Sequence, residues 1–302
     1  MAAGSADPHE SSWELAEGDS IADGLTALKL LGGGLRYEAH LAWSDPLQSL
    51  VVVKLVRPAL VDDERTLRGL GAEVDLLERL RHPVLVRSFG ARTEGERPYV
   101  VLEHLEGPRL STLLRRYGPL LPEQLLPLGL QLCAAAHYLA EEEVVHLDIK
   151  PSNIIMGAPA RLIDLSVART LEQCRRQRSA VGTDAYMAPE QCLPHERPAL
   201  ASPADVWGIG VTLYEAATGR RPFPKGDPDA EDPARRWPQL TAPPATSDRL
   251  PESLVPLVSD CLRQDPDRRP SPAAIGAGLE RGLAALSKPW VSKLKPRPPA
   301  RR

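Results

Sequence analysis

Apolar positions follow two rhythms along the chain, every second residue in the first third and every third or fourth after it. Residues 25–31 and 37–43 alternate apolar with polar side chains around Gly32-Gly33-Gly34, which predicts a hairpin with a flexible turn. Residues 50–56 form a buried-strand run interrupted by one charge, Lys54. Over residues 62–81 the rhythm changes, and Leu67, Leu70, Val74, Leu77 and Leu80 make a helical stripe with Glu73 at the edge of its inward face. Gly69 and Gly71 weaken that helix by roughly 1 kcal/mol each relative to alanine, so a loosely held helix is expected. Residues 84–89 and 98–102 are read as two more strands, and Gly107-Pro108 marks a break between two lobes. Beyond the break the pattern is mainly helical, over residues 111–117, 122–142, 204–218, 254–262 and 273–285. Pro127 is expected to kink the second of these, and Ser202-Pro203 to open the third as N-cap and first helical residue. Residues 153–156 and 160–163 interrupt the helices as two short strands, and residues 222–251 are a proline-rich loop region.

Composition narrows the setting. The chain has 302 residues and a net charge of -3, so nothing global implies a nucleic-acid partner. Cys133, Cys174, Cys192 and Cys261 stand far apart with no C-x-x-C, against a zinc site or disulfide framework and in keeping with a reducing cytosol. No apolar run approaches the roughly 20 residues of a membrane span, and the first dozen residues are too polar for a leader. A cytoplasmic location is therefore expected. Residues 1–18 read as a disordered arm and residues 286–302 as a basic, proline-rich, solvated tail.

The densest chemistry lies in His146-Leu147-Asp148-Ile149-Lys150-Pro151-Ser152-Asn153. Phosphoryl transfer needs an aligned hydroxyl and compensation for charge on the phosphate. Asp148 can accept a hydroxyl proton's hydrogen bond, Lys150 can face a phosphate, and Asn153 can offer a hard cation its carbonyl oxygen. Asp164 follows eleven residues after Asn153, with a hairpin's worth of chain between. This stretch resembles the catalytic loop of eukaryotic-type serine/threonine protein kinases, written H-R-D-L-x-x-x-N. Lys54 in its apolar run is similar to the lysine of V-A-I-K, Asp164-Leu165-Ser166 to D-F-G, Ala188-Pro189-Glu190 to A-P-E, and Asp265–Pro270 to D-P-x-x-R-P. Heavy use of Ala, Pro and Arg points to a bacterial member.

The resemblance covers about residues 19 to 285 and implies an α+β bilobal fold. An antiparallel sheet plus the helix called C would fill residues 19–104, and a mainly helical lobe residues 107–285. It implies ATP with Mg²⁺, or Mn²⁺, and protein substrates bearing Ser or Thr. Gly32 and Gly34 would close over phosphates, Ala39 and Val52 would roof the adenine, and Lys54 would pair with Glu73 on helix C. Leu102 would be the gatekeeper, with Glu103 and Leu105 in the hinge that meets the adenine edge. Asp148 and Lys150 would be catalytic, and Asn153 and Asp164 would hold the metal. Thr183 would mark Ser/Thr selectivity, Asp205 would hold the catalytic-loop backbone, and Glu190 would pair with Arg269. Four departures favour a second reading, a pseudokinase that binds ATP or a partner: Tyr37 for the third glycine, Leu147 for Arg, and Leu165 and Ser166 in D-F-G. Leu147 also implies activity without a phosphate on the activation segment at Thr170 or Ser179. Control would then pass to helix C or a regulatory protein bound there.

Overall fold

The computed structural model describes residues 11–196 and 200–286. The first lobe is a six-stranded antiparallel sheet in the order β1-β2-β3-β4-β6-β5, formed by β1 (Ser20–Ala22), β2 (Leu25–Gly33), β3 (Tyr37–Ser44), β4 (Ser49–Val56), β5 (Ser88–Arg92) and β6 (Tyr99–Glu103). One helix, α1 (Glu64–Arg79), packs on the face that looks towards the second lobe. Asp63 caps it, with its carboxylate accepting from Thr66 N at 2.8 Å. Leu70, Val74 and Leu77 are buried as the stripe requires, and Glu73 lies within the buried face, not at its edge.

Alternation along β4 separates two cores. Val51, Val53 and Leu55 point to one side and join Ile21, Leu25 and Ala42 in a small upper core; Val52 and Lys54 point to the cleft. That upper core is closed by residues 11–18, which the composition had suggested were a disordered arm. Trp13 supplies the reason: its ring lies on the upper core, its Nε1 donates to Val56 O at 2.8 Å, and Arg97 covers it at 4.7 Å. The strap also covers the buried Glu38, whose carboxylate accepts from Ser12 Oγ at 2.9 Å and Trp13 N at 3.3 Å. Arg57 links the strap to the glycine turn, donating to Ser11 O at 2.6 Å and Gly34 O at 2.7 Å. Residues 1–10 and the basic tail from 287 onward lie outside the described residues.

Residues 84–86 do not belong to the large sheet. They reach instead to the second lobe, where Val86 N donates to Leu162 O at 3.0 Å and Val84 O accepts from Leu162 N at 2.6 Å. An apolar run carries no mark of which strand it will meet, and this one joins the two lobes. The second lobe is built on α2 (Leu110–Tyr117), α3 (Pro122–Glu141), α6 (Ser202–Thr218), α8 (Val255–Cys261) and α9 (Pro272–Ala285). Strands β7 (Val144–Val145), β8 (Ile154–Ile155), β9 (Arg161–Leu162) and β10 (Arg169–Thr170) pair as β7–β10 and β8–β9 at the cleft, and α4 (Leu171–Arg176), α5 (Pro189–Cys192) and α7 (Pro233–Arg236) are short turns of helix. Helix α3 runs through Pro127. Helix α6 is buried nearly throughout, with Trp207 stacked on Phe223 at 5.4 Å. Ala201, not Ser202, takes its N-cap position, and Ser202 is already helical.

Candidate active site

The cleft between the lobes collects the polar residues that the sequence singled out. Lys54 Nζ donates to both oxygens of Glu73 at 2.8 Å and to Asp164 Oδ1 at 3.0 Å, which uses all three of its protons. Burial alone would depress the lysine's pKa, but the charges of Glu73 and Asp164 outweigh it and hold the ammonium charged. Burial works the other way on Asp164, where Lys54 and Ser166 overcome it and keep the carboxylate ionised. Asp164 sits at φ 71°, a left-handed conformation that aspartate tolerates better than most residues. Leu165 beside it is buried.

Register in the sheet places the residues expected to roof an adenine on one face. Ala39 pairs with Lys54, Leu41 with Val52, and Val52 with Leu102, so Ala39, Val52 and Leu102 all look into the cleft as near neighbours. At the far end of β6, Glu103 does not face the cleft with a free side chain; Arg87 and Arg161 hold its carboxylate at 3.0 and 3.3 Å. Its backbone N–H is also taken, by Arg87 O at 2.9 Å. Leu105 packs partly buried against the main core.

Below the cleft, Asp148 is a hub. Thr183 Oγ1 donates to its Oδ1 at 2.7 Å, while Lys150 Nζ and Asn153 Nδ2 reach its Oδ2 at 2.7 and 2.9 Å. Lys150 also bonds Thr183 Oγ1. Asn153 spends its amide protons on Asp148, which turns its carbonyl oxygen elsewhere and leaves it for a cation. Asp205, fully buried at the start of α6, accepts from His146 N and Leu147 N at 2.8 Å each and so fixes the loop backbone. Arg269 forms a two-pronged contact with Glu190 at 2.6 and 2.9 Å and stacks over Trp207 at 5.0 Å, joining the end of the activation segment to α6.

Leu147 is buried and held at φ 65°. Its carbonyl accepts from Gln191 Nε2 at 2.8 Å, and the same nitrogen reaches Val181 O at 2.8 Å. One side chain therefore ties the catalytic loop to the activation segment. Gly182, at φ 120°, completes the approach, because a Cβ there would lie 2.7 Å from Leu147 O. Gln191 follows Glu190 in the sequence without any motif to mark it, and sequence reasoning passed over it. Tyr37, read only as a departure, lies inside the site: its hydroxyl donates to Thr66 O at 3.2 Å and its ring stands 4.6 Å from Lys54 Nζ. Arg175, Arg176 and Arg178 of the activation segment are exposed. Arg176 pairs with Glu172 at 2.7 Å, and Arg169 and Arg178 cap nearby carbonyls. Cys174 is buried in α4, and its thiol pKa is pushed up by burial to about 11.

These groups fit a nucleoside triphosphate and a hard divalent cation. A charged lysine faces the cleft from above, and an ionised carboxylate and an amide oxygen lie below it, which are the oxygen donors such a cation takes. Comparison with known proteins agrees with the geometry. The family described as "Protein kinase domain" matches residues 25–279. Over 236 residues, 76% of this chain and 42% of the relative, the chain is 34% identical to the serine/threonine-protein kinase PkaA of Streptomyces coelicolor. It is 33% identical to the probable serine/threonine-protein kinase PkwA of Thermomonospora curvata over 82% of this chain and 33% of that protein. The corresponding figures for PrkC of Bacillus subtilis are 28%, 83% and 39%. The chain thus spans less than half the length of these relatives. With the cleft, the ion pair and the Asp148 hub in their places, this chain belongs to the protein kinase domain family.

Proposed function

We propose that the chain transfers the γ-phosphate of ATP to Ser or Thr hydroxyls of protein substrates, with Mg²⁺ as the cation and with no phosphate needed on the activation segment. The observation that carries this reading is the Asp148 hub, in which a buried carboxylate is oriented by Thr183, Lys150 and Asn153 at once. A substrate hydroxyl entering beside Thr183 meets Asp148 Oδ1 as proton acceptor, with Lys150 positioned against the phosphate that arrives. ATP brings the transferable phosphoryl group, and the cation offsets its charge. Asp164 and Asn153 would hold that cation, and Lys54, fixed by Glu73, would draw the α- and β-phosphates. None of the polar groups Lys54, Glu73, Asp148, Asn153 and Asp164 is missing, which supports transfer over a module that only binds.

Independence from phosphate rests on Leu147 and Gln191. Where an arginine would need a phosphate partner to order the segment, this chain uses a leucine in the core and a neutral amide bonded to two carbonyls. Thr170 is already engaged as the cap of α4, accepting from Gln173 N at 3.2 Å. In a γ-labelled ATP assay with Mg²⁺, Asp148→Asn is expected to lower kcat by about 10²–10⁴-fold, the range for a lost general base. Phosphatase treatment, or Thr170→Ala with Ser179→Ala, is expected to leave kcat within about twofold. A tenfold loss under either treatment, with the fold intact, would overturn the phosphate-independent part; transfer by the Asp148→Asn protein at the native rate would overturn the role of Asp148, and no transfer by the wild type would overturn the reaction itself.

A further inference from the structure

Tyr37 stands where the family's glycine pattern has its third glycine, and its side chain reaches two places at once. It lies on the cleft side of β3, opposite Val56. Its hydroxyl crosses to α1 and donates to Thr66 O at 3.2 Å. Thr66 is itself fixed at the start of that helix, since both its N–H and its hydroxyl donate to Asp63, at 2.8 and 2.7 Å. Glu73 lies seven residues further, about two turns along the same helix. Meanwhile the Tyr37 ring stands 4.6 Å from Lys54 Nζ, within the range of a cation–π contact. One residue therefore touches the lysine and the helix that carries the lysine's partner.

We infer that Tyr37 is a positioning residue for phosphoryl transfer: a strut that holds α1, and through Glu73 the Lys54 ammonium, in place without a bound partner or a phosphate. The inference rests on the kinase reading above. It accounts for a feature that otherwise only weakens α1. Gly69 follows Thr66 by one turn on the face towards Tyr37, and a Cβ there would already lie 3.4 Å from the Tyr37 hydroxyl. A longer side chain would contest the space the hydroxyl occupies. Gly71, with nothing within 4 Å of its Cβ position, has no such role. Burial pushes the Tyr37 pKa up to about 12, so the phenol keeps its proton, and its donor role, throughout the physiological range.

The experiment compares the full chain with Tyr37→Phe, Tyr37→Gly, Gly69→Leu and Gly71→Ala, reading kcat, KM for ATP and amide hydrogen exchange across α1 in the nucleotide-free protein. Tyr37→Phe keeps the ring and loses the hydroxyl. It is expected to quicken α1 exchange and lower kcat by about three- to tenfold, the worth of one hydrogen bond, with KM for ATP nearly unchanged. Tyr37→Gly is expected to lower kcat by more than about tenfold, since the ring contact goes too. Gly69→Leu improves the helix propensity of α1 yet expels the hydroxyl, so it is expected to lower kcat like Tyr37→Phe, and the two together to be no worse than either. Gly71→Ala is expected to leave kcat unchanged. Unaltered α1 exchange and kcat in Tyr37→Gly would overturn the strut. So would a raised kcat/KM for ATP in that variant, which would mark the ring as an obstruction to phosphates. Exchange is read without turnover, so a wild type that transfers no phosphate would defeat the kinase reading while the exchange result still decides the strut.

Discussion

Above the cleft, Lys54 and Glu73 meet through charges at the ends of side chains, and Lys54 reaches across to Asp164 in the same way; below it, Asp205, Gln191 and Asn153 bond directly to the backbone that carries the polar groups of the site. The upper contacts can separate and re-form as α1 moves, because each joins two side chains with rotatable stems. The lower ones cannot loosen without leaving buried N–H or C=O groups unpaired, at about 1–3 kcal/mol each. The comparison locates adjustability in the first lobe and permanence in the second. If the catalytic loop is ordered without a phosphate, as proposed, α1 is left as the element whose position can vary, and Tyr37 is the proposed restraint on it.

The lower side should therefore fail hard. Asp205→Asn presents one oxygen and one N–H₂ to two backbone donors, so one donor loses its partner and meets another. The expected outcome is a loss of about 1–3 kcal/mol of stability by denaturant titration and a fall in kcat beyond what the unfolded fraction explains. Native stability in this variant would contradict a backbone-anchored floor. Gln191→Leu strips Leu147 O and Val181 O of one donor together, for a similar stability cost of about 1–3 kcal/mol. Here kcat is expected to fall about tenfold, the effect of a loop less well aligned. If instead the variant regains activity when the activation segment is phosphorylated, the amide bridge and the phosphate would be shown to do the same work.

The upper side should respond by degrees. Ala39 and Val52 exchange the sizes that the family's adenine roof normally carries, and their shared face suggests one packed surface. Ala39→Val is expected to weaken ATP binding by overfilling, and Val52→Ala to restore it, with a coupling of about 0.5–3 kcal/mol in a double-mutant cycle. Additive effects on the dissociation constant would mean the two do not touch the same ring. The smallest effect concerns Tyr37 ionisation. Because its pKa is raised in the folded chain, the stability it contributes is whole below about pH 10 and is lost as pH climbs towards about 12. Difference absorbance at alkaline pH, wild type against Tyr37→Phe, should show a tyrosine absent from the normal titration near pH 10.

Lys54, Glu73, Asp148, Asn153 and Asp164 were legible because their chemistry requires given residue types at given separations, and the separations survive in the linear order. The strands and helices were legible for a similar reason, since periods of two and of three to four are local. What stayed hidden depends on meetings between distant segments. Tyr37 finds α1 across 29 residues and Gln191 finds Leu147 across 44, with no pattern in either neighbourhood that names the other. Residues 84–86 show the same limit, because an apolar run says that a strand is buried but not in which sheet. Trp13 defeated a compositional argument: one large ring among small polar residues was enough to turn residues 11–18 into a covering.

That covering bears on where the domain should be cut. The family match begins at residue 25, and a fragment started there would look complete by homology. It would also expose Ile21's neighbours to water, strip Ser12 and Trp13 from the buried Glu38, and release Arg57 from one of its two backbone acceptors. Arg57's other acceptor is Gly34, so the side chain that braces the glycine turn would be held at one end only. A fragment meant to keep this covering has to include Ser11.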